Sequence, residues 1–264
     1  YNAAYFAHFD LFDSAQAREV MAGTDVPQNA QRPSAVYMTA AAELALGDAP
    51  RAIALFEKAV TLGSRGYLRD YVDAHAALRQ YDQARRVAAL QTPVGLPAQD
   101  IEGRLFEASL PLDQGDWAGA RAAMARLRAD AVETGVNENV LGELEMMALS
   151  LRAYAPDGAF AADLRRWSDD QRTRFGQSNA MLQREFIFRL MAGAWMAAHT
   201  GDPGLARELV AAVGDHPQLR VYPATAGMAR IARAEIALAE GRPAEAIDLL
   251  ADDHAKGQGL YFGR

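Results

Sequence analysis

Ala45-Leu46-Gly47-Asp48-Ala49-Pro50-Arg51-Ala52-Ile53-Ala54-Leu55-Phe56-Glu57-Lys58-Ala59-Val60 is the stretch on which the reading of the fold turns. Gly47 offers the left-handed conformation that ends one helix, Asp48 carries a carboxylate able to cap the next, and Pro50 stands near a helix start, where its missing N–H is harmless. A small-residue helix, a short Gly-Asp turn and an Ala-centred second helix together predict an αα-hairpin.

The phrase recurs. Clear copies are Gln114-Gly115-Asp116-Trp117-Ala118-Gly119-Ala120-Arg121, Thr200-Gly201-Asp202-Pro203-Gly204-Leu205-Ala206-Arg207 and Glu240-Gly241-Arg242-Pro243-Ala244-Glu245-Ala246-Ile247. Weaker ones are Gln80-Tyr81-Asp82-Gln83-Ala84-Arg85 and Phe12-Asp13-Ser14-Ala15-Gln16-Ala17-Arg18. Aligned on the second-helix alanine they fall at Ala17, Ala52, Ala84, Ala120, Ala206 and Ala246, in steps of 35, 32, 36, 86 and 40 residues. The long step is about twice the others, so a degenerate unit pivoting near Ala162 is expected within it, giving about seven hairpins in all. The segments that follow are 1–135 with four hairpins, an Arg-rich hairpin over 136–186, and 187–264 with two hairpins and a tail.

Composition supports an ordered helical protein. Of 264 residues 56 are alanine, the best helix former, and half the chain is hydrophobic. With no cysteine there is no disulfide framework, no thiol nucleophile and no Cys-ligated zinc. The net charge of −7 is a poor match for non-specific nucleic-acid binding. No run approaches the roughly 18 apolar residues of a membrane span; the longest, Leu190 to Ala198, is broken by Gly193. A soluble chain is expected, with the cytoplasm favoured over the periplasm. Only Lys58 and Lys256 are lysine against 25 arginines, a bias suggesting a GC-rich, bacterial genome. The opening at Tyr1 and the tail Gly257 to Arg264 suggest a piece of a longer protein.

The repeat resembles the tetratricopeptide repeat (TPR) family, whose unit is about 34 residues. That unit has a small residue in the first helix, Gly-Asp before the second, then Ala, an aromatic and Ala. Between Pro33 and Ser64 those places hold Ala40, Gly47-Asp48, Ala52, Phe56 and Ala59. In later copies Met124 and Leu127, Val210 and Val213, and Leu250 and Asp253 replace the aromatic and the last alanine. The resemblance implies an all-α, right-handed α-solenoid, similar to the C-terminal arrays of multidomain bacterial signalling and regulatory proteins. It also implies a concave groove lined by first-helix residues: Tyr37, Ala41 and Leu44, then Arg69, Asp73 and Ala76, then Leu105, Ser109 and Leu112, and later Met191, Trp195 and His199. Such a lining suits a peptide or partner protein, because aromatic anchors supply much of the binding energy. Tyr37, Leu44, Leu105 and Trp195 could equally pack between hairpins. Arg69 and Asp73 stand where the family's carboxylate clamp has Lys and Asn, so recognition of an acidic chaperone tail is not expected.

Other chemistry is harder to find. The stretch with Arg165, Arg166, Arg172, Arg174, Arg184 and Arg189 carries Trp167, Phe175 and Phe186, a mixture able to hold phosphates or stack on bases. Asp163, Asp169, Asp170 and Glu185 lie among them, so ion pairs on a solvated face are the simpler account. The histidines at 8, 75, 199, 216 and 254 form no H-E-x-x-H arrangement, and no metal or cofactor is expected. There is no G-x-S-x-G elbow, and neither lysine follows a glycine as a phosphate loop requires. The expected function is a non-enzymatic interaction or sensory scaffold. The alternatives are an α-helical enzyme with its site in the superhelix cavity, and an RNA-binding helical repeat.

Overall fold

The computed structural model describes residues 19, 30–66, 68–221 and 223–251. The copy at Phe12 to Arg18, the tail Gly257 to Arg264, His8 and His254 lie outside them. Among the described residues the only regular structure is helical. The chain divides into two compact units, Tyr1–Leu141 and Gly142–Arg264.

In the first unit α1 is Pro33–Ala45, α2 Ala49–Thr61, α3 Arg69–Ala77, α4 Tyr81–Ala88, α5 Pro97–Gly103, α6 Phe106–Asp113 and α7 Trp117–Glu133. Helix α8, Glu138–Ala153, contains the division. Neighbours in sequence pack as pairs, α1 on α2, α3 on α4 and α6 on α7, and α2 also meets α3. Gly47 takes φ +91, and the Asp48 carboxylate accepts from the Arg51 N–H at 3.1 Å, so the Gly-Asp turn caps both of its helices. The turn between α3 and α4 lacks glycine, and Arg79 itself adopts φ +58, a conformation that strains a side-chain-bearing residue.

Ala40, Ala52, Phe56 and Ala59, which align the clearest repeat, are all 0% exposed. The alanines let α1 and α2 approach closely, and the Phe56 ring fills the space between them and α3, 4.8 Å from Tyr37 and 5.3 Å from Tyr71. Complete burial of such a ring contributes about 1.5–3 kcal/mol.

The second unit holds α9 Phe160–Gln177, α10 Ala180–His199, α11 Pro203–Val213, α12 Gln218–Val221, α13 Pro223–Ala239 and α14 Pro243–Leu250. Helix α10 packs against α9, α11 and α13. Ile187, Leu190, Met191, Ala194, Met196 and Ala198 bury several sides of it, the pattern of a helix at the centre of a core. Asp202 caps α11 by accepting from the Leu205 N–H at 2.9 Å. Before α14 the phrase carries Arg242 in place of Asp, and no side chain caps that helix.

Over 136–186 the alanine phrase does not continue. Ala162, the expected pivot, is exposed in the first turn of α9, and Phe160, Leu164 and Trp167 form the buried face instead. No helix among the described residues is long and apolar enough to cross a membrane.

Candidate functional site

The groove residues proposed from sequence fall into distinct settings. Tyr37 is buried on α1, and its hydroxyl donates to Asp70 at 3.4 Å. Burial pushes the Asp70 carboxyl above its ordinary value, against the opposing pull of Arg69 and the Tyr37 hydroxyl. On the same helix, Arg69 Nε lies 3.7 Å from Asp73 Oδ2. Leu44 is partly buried against the Phe56 core, Leu105 is buried ahead of α6, and Ser109 is half-buried within α6.

Trp195 and His199 come together, being four residues apart on one side of α10 with their rings stacked at 5.5 Å and 25°. Two residues that sequence reasoning did not nominate complete this patch. Tyr154, directly after α8, lies 5.8 Å from Trp195 and 5.3 Å from His199, ring centre to ring centre. Glu235 on α13 places Oε1 2.9 Å from His199 Nδ1. A carboxylate only accepts, so Nδ1 carries the proton and Nε2 is the remaining position. Tyr154 is 48% exposed, and its phenol is held above the usual value by burial and by the nearby Glu235 charge.

One signal could have found Glu235: it is the single acid in α13, among alanines and two arginines. Tyr154 carries no such signal, because it belongs to a connection between helices.

The arginine-rich stretch resolves into ion pairs. Arg174 meets Asp170 at 2.8 Å, Arg166 pairs with Asp163, and Arg172 with Asp169. Arg165 reaches across to α11, 3.5 Å from Asp202 and 3.6 Å from Glu208. Arg189 differs, with its side chain almost wholly buried, 3.9 Å from Glu185 and over the Phe186 ring at 5.4 Å. Burial holds its guanidinium below the ordinary arginine value, opposed by Glu143 and Glu185.

The described residues form shallow depressions on the surface, two of which are lined by charged and apolar side chains together. One, of about 440 Å³, is lined by Val210, Ile236 and Leu249 together with Arg207, Glu240 and Arg242. There Arg207 lies 2.8 Å from Glu240, and Arg242 bonds to the same carboxylate. The other, of about 390 Å³, lies by Pro97 and Ile101, where Arg104 bridges Glu107 at 2.6 Å and Asp130 at 2.8 Å. Among the described residues no group of three or more His, Cys, Asp or Glu side chains is placed to hold a metal ion. Comparison with protein-family models, with curated proteins and with solved structures gives no match to this chain.

Proposed function

We propose that this chain is an interaction module, a right-handed TPR-like solenoid from a larger bacterial signalling or regulatory protein, and that it binds a protein or peptide partner. The observation that carries the reading is the patch formed by Tyr154, Trp195, His199 and Glu235. Tyr154 and His199 reach solvent against the buried Trp195 ring, at the end of a helix whose other sides are core, and a carboxylate lies beside them. Rigid aromatic surface next to a fixed polar group is the composition of binding hot spots. Recurring hairpins with capped Gly-Asp turns support the repeat architecture, since each hairpin must bury its apolar faces on a neighbour.

The enzymatic alternative requires buried ionisable groups converging on one pocket, whereas Arg207, Glu240 and Arg242 in one depression and Arg104 and Asp130 in the other are engaged in ion pairs. The RNA-binding alternative requires arginines available to phosphate, and Arg165, Arg166, Arg172 and Arg174 are each engaged by a carboxylate.

A photo-crosslinking residue in place of Tyr154, compared with the same residue at Val132, 63% exposed and in the other unit, tests the reading in cells. A discrete adduct from position 154 that is absent from 132 and is lost with Glu235→Gln is the expected result. Equal labelling from both positions, or none, overturns it. Tyr37, Leu105 and Trp195 are poor test positions, because alanine there would disturb the core.

A further inference from the structure

We propose that Trp167 Nε1, Ser168 Oγ and Gln171 Oε1 on α9 together bind one buried water molecule, where α9 meets α10 and α11. Ser168 is 0% exposed and Gln171 1%, and each of the three polar atoms is buried without a hydrogen-bonding partner in the protein. They lie within one helical turn, on the face that also carries Leu164. Gln171 leans towards the N-terminus of its helix, over the turn that holds the other two.

The chemistry of the three atoms is complementary to water. Gln171 Nε2 donates to the Asp170 carboxylate at 3.0 Å, which fixes the amide orientation and leaves Oε1 as an inward acceptor. Trp167 Nε1 is only a donor, and the Ser168 hydroxyl is both. Water can accept from the indole, donate to the amide oxygen and bond the hydroxyl, the roughly three bonds typical of buried waters. An uncompensated group of this kind costs about 1–3 kcal/mol, so three together in the core call for a shared partner. A methyl group on Gly193 of α10 would lie 3.4 Å from Ser168 Oγ and 3.1 Å from Trp167 Cζ3, so α10 closes over this face of α9.

Ser168→Ala supplies the first test. Removing a bare hydroxyl and gaining helix propensity would both raise the urea midpoint, whereas removing a water ligand lowers it, by about 0.3–1 M. Combined with Trp167→Phe, the loss is expected to be less than additive, because both variants deprive the same water. A crystal structure of the whole chain should show a water about 2.7–3.2 Å from all three atoms. A raised midpoint, strict additivity, or density showing Gln171 Oε1 bonded directly to Ser168 or Trp167 overturns the proposal.

Discussion

Replacing Gly193 by alanine sets two known effects against each other. Gly193 lies inside α10, and alanine in a helix interior is favoured over glycine by about 1 kcal/mol. The new methyl carbon would meet Trp167 Cζ3 at 3.1 Å, Leu209 Cδ1 at 3.2 Å and Ser168 Oγ at 3.4 Å. Comfortable carbon contacts begin near 3.5 Å, so the neighbours must retreat by a few tenths of an ångström. Trp167, Ser168 and Leu209 are all buried and have little room to do so. Overpacking of this kind costs about 1–3 kcal/mol, leaving a net loss of up to about 2 kcal/mol. Gly176, near the end of α9, is exposed with nothing within 4 Å of its virtual methyl, so the same substitution there should gain about 0.5 kcal/mol. Urea titration followed by tryptophan fluorescence separates the two. Trp167 and Trp195 lie in the second unit and Trp117 in the first, so a Trp117→Phe background reports the second unit alone. With a urea slope of about 1–3 kcal/mol/M, a loss of about 1 kcal/mol lowers the midpoint by about 0.3–1 M. A Gly193→Ala midpoint above that of the parent would refute the close approach of α9, α10 and α11.

Phe56→Ala should cost about 3–5 kcal/mol, read from loss of helical circular dichroism in the first unit, while Phe56→Leu should retain most of it. Asp202→Ala removes the acceptor for the Leu205 N–H and should lower stability by about 1 kcal/mol, with Asp202→Asn or Ser restoring it in the same titration. Asp70 has a folded pKa above its unfolded one, so the stability linked to it is present below the unfolded value of 3.8 and is lost as pH rises through the folded value. Asp70→Asn should therefore have a higher urea midpoint than the parent at pH 7, with the difference shrinking towards pH 4; a difference that grows on acidification would contradict the assigned burial. The Tyr71 phenol is pushed up to about 12, chiefly by burial, so its linked stability falls as pH rises from about 10 through 12. Phenolate absorbance during alkaline titration should show Tyr71 ionising late, and Tyr71→Phe should remove that step.

The hairpins were legible because their signals are local. Helix ends depend on residues next to one another in the chain, so Gly47-Asp48 and Gly201-Asp202 announce their turns without reference to tertiary structure. The alanines of the clearest repeat were informative for a related reason: a buried contact between adjacent helices repeats at the spacing of the unit. Across 136–186 both signals weaken together. The turn has no Gly-Asp pair, and the contact face is written in Phe160, Leu164, Trp167 and Gln171, spaced by four, three and four residues. That spacing is itself a helical stripe, but its last member is polar and sits among acids and arginines. Ser168 and Gln171 consequently resemble surface residues in sequence while lying in the core.

The candidate site was half legible for the same physical reason. Trp195 and His199 share one helix and one face, so spacing alone brings them together. Tyr154 and Glu235 reach them from a connection and from α13, and only tertiary packing supplies those contacts. Helix α10 explains why the patch is well defined: it is held on its other sides by α9, α11 and α13 through fully buried residues, and His199 is its last residue, where the helix reaches solvent. The side chains there inherit the rigidity of the core, which lowers the entropy that a partner must overcome on binding. A variant that loosens α10 without touching the patch, such as Gly193→Ala, should therefore weaken crosslinking from position 154 along with stability. If stability falls while crosslinking is unchanged, the patch acts independently of the helix that carries it, and preorganisation is not the source of its affinity.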